Sequence, residues 1–398
     1  MALDLTKERG MPLERQTFDW FDLVRYPISK LNDDAFTRVR IILMNGVEQE
    51  ANRFSHACAR RDAALRVPLA RVRRIDHHQQ TLINWLLPPD QSPLETTIAY
   101  EQASIEVTAH VAVAEPDPYL AQLYRFGLLE DFDHLYRFSA LLDRVEGKDA
   151  NNILQSYTDI APGRPTRVEH RAPEDDVRNH YDRSTASPLS RLHALTIVAG
   201  ENQVRDYYMN IGPLFSDPIA RLLYAEIASI EEQHVTHYES IVDPSETILE
   251  QWMLHEAGEA YNYLSCLESE SDSRVRDIWE RFLSYELGQL SYVMDLFQKI
   301  ERRDPFEVLP TVLPEPIKYE SHREFIRETL EREAGYRAEG PLIVPEESLA
   351  SPSRAYRDRL NLRGTPSDAV ASNYIWTPGG EARRTSARGA TAPEARLP

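Results

Sequence analysis

Cysteine is nearly absent from this 398-residue chain, which has only Cys58 and Cys266. They form no C-x-x-C pair, which excludes a zinc ribbon or a rubredoxin-type iron centre. Reduced thiols in the cytoplasm are the simplest reading. No apolar run approaches the roughly 20 residues needed to cross a bilayer, so no membrane span is expected. The opening stretch MALDLTKERGMPLERQTFDW lacks an apolar h-region, so no secretory signal is expected either. Basic residues are scarce relative to acids, 45 Lys and Arg against 64 Asp and Glu, for a formal net charge of −19. That balance argues against nucleic acid or an anionic membrane surface as the main partner. Strand-like alternation is missing as well, and the fold class expected is all-α.

What the chain does have is helical periodicity, punctuated by proline and glycine. Residues 1–32 read as an N-terminal arm. Helical runs follow over 35–61 and 69–87, the second closed by Pro88-Pro89, because proline cannot continue a helix. These form a hairpin at 33–89. The next runs are 93–114 and 119–147, separated by Glu115-Pro116-Asp117-Pro118, where Asp117 suits an N-cap and Pro118 the first helical position. Residues 148–187 are polar and aperiodic. Helices resume over 189–211 and 219–242, with Asp217-Pro218 between them, and then over 245–268 and 273–301. The expected organisation is a central unit at 90–243, a second flanking hairpin at 244–304, a turn and short helix at 305–337, and an extended tail at 338–398.

The organising feature is a repeat. Shifted by 100 residues, Glu101 meets Glu201, Asp117-Pro118 meets Asp217-Pro218, Asp131 meets Glu231 and His134 meets His234. Each copy is a helical hairpin with one carboxylate on its first helix and carboxylate-x-x-His on its second. Residues three apart share a helix face, so each carboxylate and histidine project together. The turn lies midway between the two carboxylates, which puts both at one height, about 22 Å from it at 1.5 Å per residue. Two hairpins therefore supply Glu101, Asp131, His134, Glu201, Glu231 and His234. That is the donor inventory of a carboxylate-bridged dinuclear metal site in a four-helix bundle. The 148–187 stretch then serves as a crossover running the length of that bundle.

Residues 94–242, through two units of the form E-(x)29-[DE]-x-x-H, resemble the ferritin-like di-iron or di-manganese carboxylate superfamily. The resemblance implies a ferritin-like four-helix bundle holding two Fe ions, or Mn, per chain. It implies an oxidoreductase that uses dioxygen or peroxide. The leading expectation is a di-iron oxidase or oxygenase acting on a small organic substrate, with the extra helices shaping its pocket. An oxygenase would need an external electron donor, since the chain contains no reductase domain. The alternatives are a ferroxidase, a rubrerythrin-like peroxidase or a manganese-catalase-like protein without organic substrate, and a structural bundle with a vestigial site. A homo-oligomer is compatible with all of these. Asp131 departs from the commoner Glu, and its shorter arm favours binding at one ion. The adjacent Glu130 projects about 100° away around the helix and is not substituted for it.

Other residues carry less. His237, one turn past His234, is a candidate extra ligand or supporting group. Glu106 and Asp206, at matching places on the two first helices, are candidates to hydrogen-bond the ligand histidines. Tyr100, Tyr124, Tyr207, Tyr208 and Tyr224 fall near the site but suit ordinary packing, and His77, His78 and His255 suit partial exposure. The flanking hairpins look like decayed copies. Glu256, Glu286 and Gln289 align with Glu101, Asp131 and His134 at a shift of 155, and Glu48, Asp76 and Gln79 fill the same roles in the first hairpin. Amides replace both histidines, and amide is a poor ligand for a transition metal. Neither hairpin alone is expected to bind one.

Overall fold

The computed structural model describes residues 3–160, 170–346, 351–372, 374–375 and 383–384. Eight long helices dominate, and their limits follow the sequence punctuation. After a single turn, α1 (Trp20–Leu23), come α2 (Ala35–Arg61), α3 (Arg66–Asn84), α4 (Pro93–Ala114) and α5 (Pro118–Glu146). A one-turn α6 (Asn151–Leu154) precedes α7 (Pro188–Ile211), α8 (Pro218–Glu239), α9 (Ile248–Ser269) and α10 (Ser273–Glu301). The repeat is visible in the caps. Asp117 accepts from the backbone N–H groups of Tyr119 and Leu120, and Asp217 from those of Ile219 and Ala220, each with proline at the first helical position. Caps of this kind contribute about 1 kcal/mol each and fix where the helix starts. Gly147 ends α5 in the left-handed conformation at φ 63°.

The long helices pair as hairpins, α2 with α3, α4 with α5, α7 with α8 and α9 with α10. The first helices of the four hairpins then pack on one another: α2 touches α4, α7 and α9, and α7 touches α4 and α9. This central layer explains why α4 and the first half of α2 are buried on nearly every side. No helix among the described residues is long and apolar enough to cross a membrane.

The hairpins at 33–89 and 244–304 meet at their centres, where Gln79 Nε2 donates to Glu286 Oε1 at 2.6 Å and the Tyr263 hydroxyl donates to Glu48. Two expectations are corrected. The 338–398 stretch is not simply an extended tail, and the chain is not free of strands. After α11 (Arg323–Glu333), β1 (Tyr336–Glu339) pairs antiparallel with β2 (Leu342–Pro345) around Gly340 at φ 53°. Two short helices follow, α12 (Ser351–Leu360) and α13 (Pro366–Ala371), and Tyr374–Ile375 pairs with Arg383–Arg384. Strands of two to four residues are too short to show a period in sequence. α13 docks on α5 and α8: Ser367 donates from N and Oγ to Glu226 at 2.7 and 2.6 Å, and Arg137 donates to the Ser367 carbonyl at 3.2 Å. Within the 338–398 stretch, residues 347–350, 373, 376–382 and 385–398 lie outside the described residues, as do 161–169.

The 148–187 connection runs from one end of the α4/α5/α7/α8 group to the other. Near its start the Gln155 side chain accepts from Ala35 N at 3.0 Å and donates to Asp33 O at 2.7 Å. Near its end Asn179 N donates to the Tyr119 hydroxyl and Tyr181 N to Ile241 O, each at 3.0 Å.

The N-terminal arm sits directly on α10. Met11 N donates to Ser284 O at 2.7 Å, and Gln16 Nε2 donates to Tyr285 O at 2.9 Å. A Cβ on Gly288 would lie 1.8 Å from Met11 O. Gly288→Ala should therefore lift the arm and cost about 1–3 kcal/mol, read as a lower urea midpoint. An unchanged midpoint would mean that the arm is not docked in solution.

Candidate metal centre

The six residues singled out by the repeat converge. Glu101 comes from α4, Asp131 and His134 from α5, Glu201 from α7, and Glu231 and His234 from α8. None is more than 2% exposed. They divide into two groups whose ligand atoms lie within 4.8 Å of one another: Glu101, His134 and Glu231 in one, and Asp131, Glu201, Glu231 and His234 in the other. Glu231 belongs to both. Asp131, with its short arm, joins only one.

The contacts within the groups have a consistent direction. His234 Nδ1 lies 3.1 Å from Glu231 Oε2, 3.3 Å from Asp131 Oδ1 and 3.4 Å from Glu201 Oε2. One ring nitrogen cannot satisfy three carboxylates, so their oxygens close around a common point. His134 Nδ1 is 2.9 Å from Glu231 Oε1, yet neither His134 nitrogen finds a hydrogen-bond partner. Both Asp131 oxygens, Glu101 Oε2 and Glu201 Oε2 are likewise buried without one. Buried polar atoms almost always find a partner. A cluster of orphaned acceptors facing each other is suited to a cation.

Protonation follows from burial and neighbours. Burial and the adjacent carboxylates push Glu101 and Asp131 well above the usual carboxylate range. Burial, partly offset by His234, raises Glu201 to about 7. Glu231 goes the other way: against the upward pull of burial, His134 and His234 hold it below the ordinary value. With no cation, the carboxylates around His234 outweigh its burial and raise it well above its ordinary value. Any metal would displace these protons, because its ligands must be deprotonated.

A second set of contacts orients His234. Its Nε2 lies 3.0 Å from Glu130 Oε2, leaving Nδ1 to face the carboxylates. Arg171 Nη1 grips both Glu130 oxygens at 2.7 and 2.8 Å, and its Nε donates to Asp176 at 2.7 Å. Burial would raise Glu130, but Arg171 and His234 overcome it and hold the carboxylate at about 2. Glu130 thus stays ionised and fixes which His234 nitrogen carries the proton. Tyr208 plays a comparable part across the site, its hydroxyl donating to Glu101 Oε1.

Sequence reasoning weighed Glu130 only as a substitute for Asp131 and set it aside, and it missed Arg171. A residue 100° from the core direction on α5 faces α8, not solvent, because α5 is buried over a broad arc. Arg171 lies in the aperiodic connection and carries no pattern at all. The Glu130–Glu231 offset lies outside the 100-residue register, so the repeat could not point to it. Glu106 does not reach a ligand histidine: it accepts from Thr158 Oγ1 at 2.6 Å and from His322 N at 3.1 Å. Asp206 is partly exposed and accepts from Gln49 and Arg205. His237 is buried beside the site but belongs to neither group. Its Nδ1 accepts from Arg178 Nε at 3.1 Å, and burial, then Arg178 and Arg171, push it well below its ordinary value, keeping it neutral. Of the tyrosines, Tyr100 stacks on Tyr207 at 4.7 Å and Tyr124 on Tyr238 at 5.7 Å, which is packing.

Comparison with known protein families, curated proteins and solved structures finds no match to this chain.

The Glu130–Arg171 pair yields a prediction. Glu130→Gln and Arg171→Met should each weaken metal binding about 10–100-fold while leaving the number of bound ions unchanged. Competition against a chelator measures this, and affinities within twofold of the parent would remove the pair from the site.

Proposed function

We propose that the protein is a ferritin-like dinuclear metal oxidoreductase, with α4, α5, α7 and α8 as its four-helix bundle. The observation that carries this reading is the split of six buried donors into two groups joined through Glu231. One ion would be held by Glu101, His134 and Glu231, and the other by Asp131, Glu201, Glu231 and His234. Carboxylate oxygen with one imidazole per ion suits Fe(II) or Mn(II). Such a pair supplies two electrons to dioxygen or peroxide.

The chain's own residues bind, orient and exclude. Glu130 holds His234 in one tautomer, and Arg171 keeps Glu130 charged. Tyr208 donates a proton-bearing hydroxyl to Glu101 and anchors it. Apolar side chains of α2, α4 and α7 shield the Glu201 side. A crevice lined by Ile42, Ala103, Val107, Ile197 and Val204 reaches Glu201 with about 20 Å³ of open space, enough for a molecule the size of water. A crevice of that size is compatible with dioxygen, peroxide or the metal ions themselves as substrates. The extra helices, which could have shaped an organic-substrate pocket, instead bring Glu48, Glu259 and Glu286 together in a second buried cluster.

Metal content tests the proposal. Protein loaded anaerobically with Fe(II) or Mn(II) should hold about two ions at this site. His134→Ala should lose one, and Glu231→Ala both, because Glu231 serves both groups. Parent protein that binds no more iron or manganese than Glu231→Ala would sink the reading. Loading should also weaken as pH falls below about 7, since protonation of Glu201, Glu101 and Asp131 competes with the metal. Uptake independent of pH between about 5 and 8 would exclude these carboxylates as ligands. Consumption of dioxygen or peroxide by the loaded protein then separates a working centre from a structural one.

A further inference from the structure

One band of the surface is strongly aromatic. It is built from α1, the chain around it and the end of α3. Leu23 and Ile28 are buried beneath it, while Trp20, Phe21 and Tyr26 are 83%, 89% and 82% exposed. Val24 and Leu31 are exposed as well. α3 adds Trp85, at its C-terminal end and 51% exposed. These residues are neighbours, because residues 18–28 lie along α3. The Phe18 ring is 5.4 Å from that of His78, and Ile28 N donates to Leu86 O at 2.9 Å. Exposed apolar residues scattered singly are ordinary, but a contiguous band is a mark of an interaction site.

Polar contacts hold the band in shape. Asp19 caps α1 by accepting from Phe21 N and Asp22 N, each at 2.8 Å. Asp22 accepts from Arg25 at 2.6 Å and from Arg281 of α10 at 3.4 Å. Arg281 lies 4.7 Å over the Phe18 ring and donates to Thr17 O at 2.9 Å. The exposed rings therefore stand on an ordered turn, which lowers the entropy lost on association.

Charge and area say what covers the band. Residues 17–31 hold Asp19 and Asp22 against Arg25 and Lys30, a balance of zero. Residues 66–85 hold Arg66, Arg71, Arg73 and Arg74 against Asp76, a balance of +3 with histidines neutral. The whole chain stands at −19, so everything outside these two stretches stands at −22. Two copies of the chain repel each other over most of their surface, and least here. Aromatic residues with arginine are also the composition of interface cores. An aromatic side chain carries roughly 150–250 Å². At the exposures above, the four rings with Val24 and Leu31 offer on the order of 600 Å², most of the ~800 Å² per partner that a standard interface buries.

We propose that this band is the contact between two copies of the chain, packed about a two-fold axis with Trp20 and Phe21 at its centre. A two-fold contact uses the same patch on both copies, so the patch must complement itself. This one does, being apolar in the middle with an acid and a base, Asp22 and Arg25, on one turn at its rim. Neither α1 nor α3 supplies a ligand to the metal centre, so the inference stands or falls apart from the proposed function.

The test is sedimentation equilibrium of the full chain at micromolar concentration. The expected species has twice the chain mass of 45.8 kDa. Trp20→Ser/Phe21→Ser should raise the dimer dissociation constant about 100-fold or more, with the helical circular dichroism unchanged because both side chains lie on the surface. Tyr26→Arg, which sets like charges against each other across the axis, should also dissociate the dimer. Val67→Ser, exposed at the opposite end of α3, should leave it intact. In a separate arm the chain is mixed with phosphatidylcholine vesicles and pelleted, and it should stay in solution. A chain that is monomeric throughout overturns the proposal, as does a dimer unmoved by the Trp20→Ser/Phe21→Ser change. A monomer that pellets with the vesicles, and no longer does so after that change, overturns it in favour of a lipid surface.

Discussion

Burying carboxylates side by side is the constraint on which the rest of this molecule depends. Taking one ionised carboxylate out of water costs on the order of several kcal/mol even after the protein relaxes. Here Glu101, Asp131, Glu201 and Glu231 share one interior site, and Glu48, Asp76, Glu256, Glu259 and Glu286 share another. Neighbouring negative charges add to the cost of each. The chain must therefore supply protons, donors or cations at both places, or the helices would separate. The first site answers with two histidines facing the acids, and the second with two glutamines and a tyrosine. In both, oxygen acceptors outnumber the donors.

That constraint gives the hairpin architecture its purpose. Each hairpin places a carboxylate on its first helix and a carboxylate-x-x-His or carboxylate-x-x-Gln pair on its second, at one height. Two hairpins facing each other enclose one cluster of carboxylates, and four make two. The first helices, lying side by side in the central layer, carry Glu48, Glu101, Glu201, Glu256 and Glu259, so both clusters hang from one apolar wall. Stability and site geometry are then the same problem: a shift in α2 or α7 would disturb both clusters together.

The outer face of the first site is finished by chain outside the eight long helices. Arg171 from the connection reaches Glu130, and Arg178 reaches His237. α13 adds Ser367 against Glu226 and lies over α5 and α8. These contacts explain why the long connection is polar and rich in arginine despite packing against a core. It neutralises the acids that the helices present on that side, and it closes the site to solvent.

By itself the sequence determined the eight helices and six of the residues at the first site. Helix limits are local matters of proline, caps and a 3.6-residue period. A repeat of 100 residues marks equivalent positions whatever they touch. A shift of 155 marked Glu256, Glu286 and Gln289 as a degenerate copy, and Glu48, Asp76 and Gln79 fill the same roles in another. Only the tertiary structure decided that the first and last hairpins face each other and make these copies one cluster, with Glu259 joining Glu48 and Glu286. Only it placed Glu130 against His234 and brought Arg171 to Glu130, and only it showed the β1–β2 hairpin and α13 within 338–398. The physical reason is common to all of these. Which hairpin packs on which, and where an aperiodic connection lays its side chains, depends on contacts between residues far apart in the chain, and such contacts leave no period and no spacing to read.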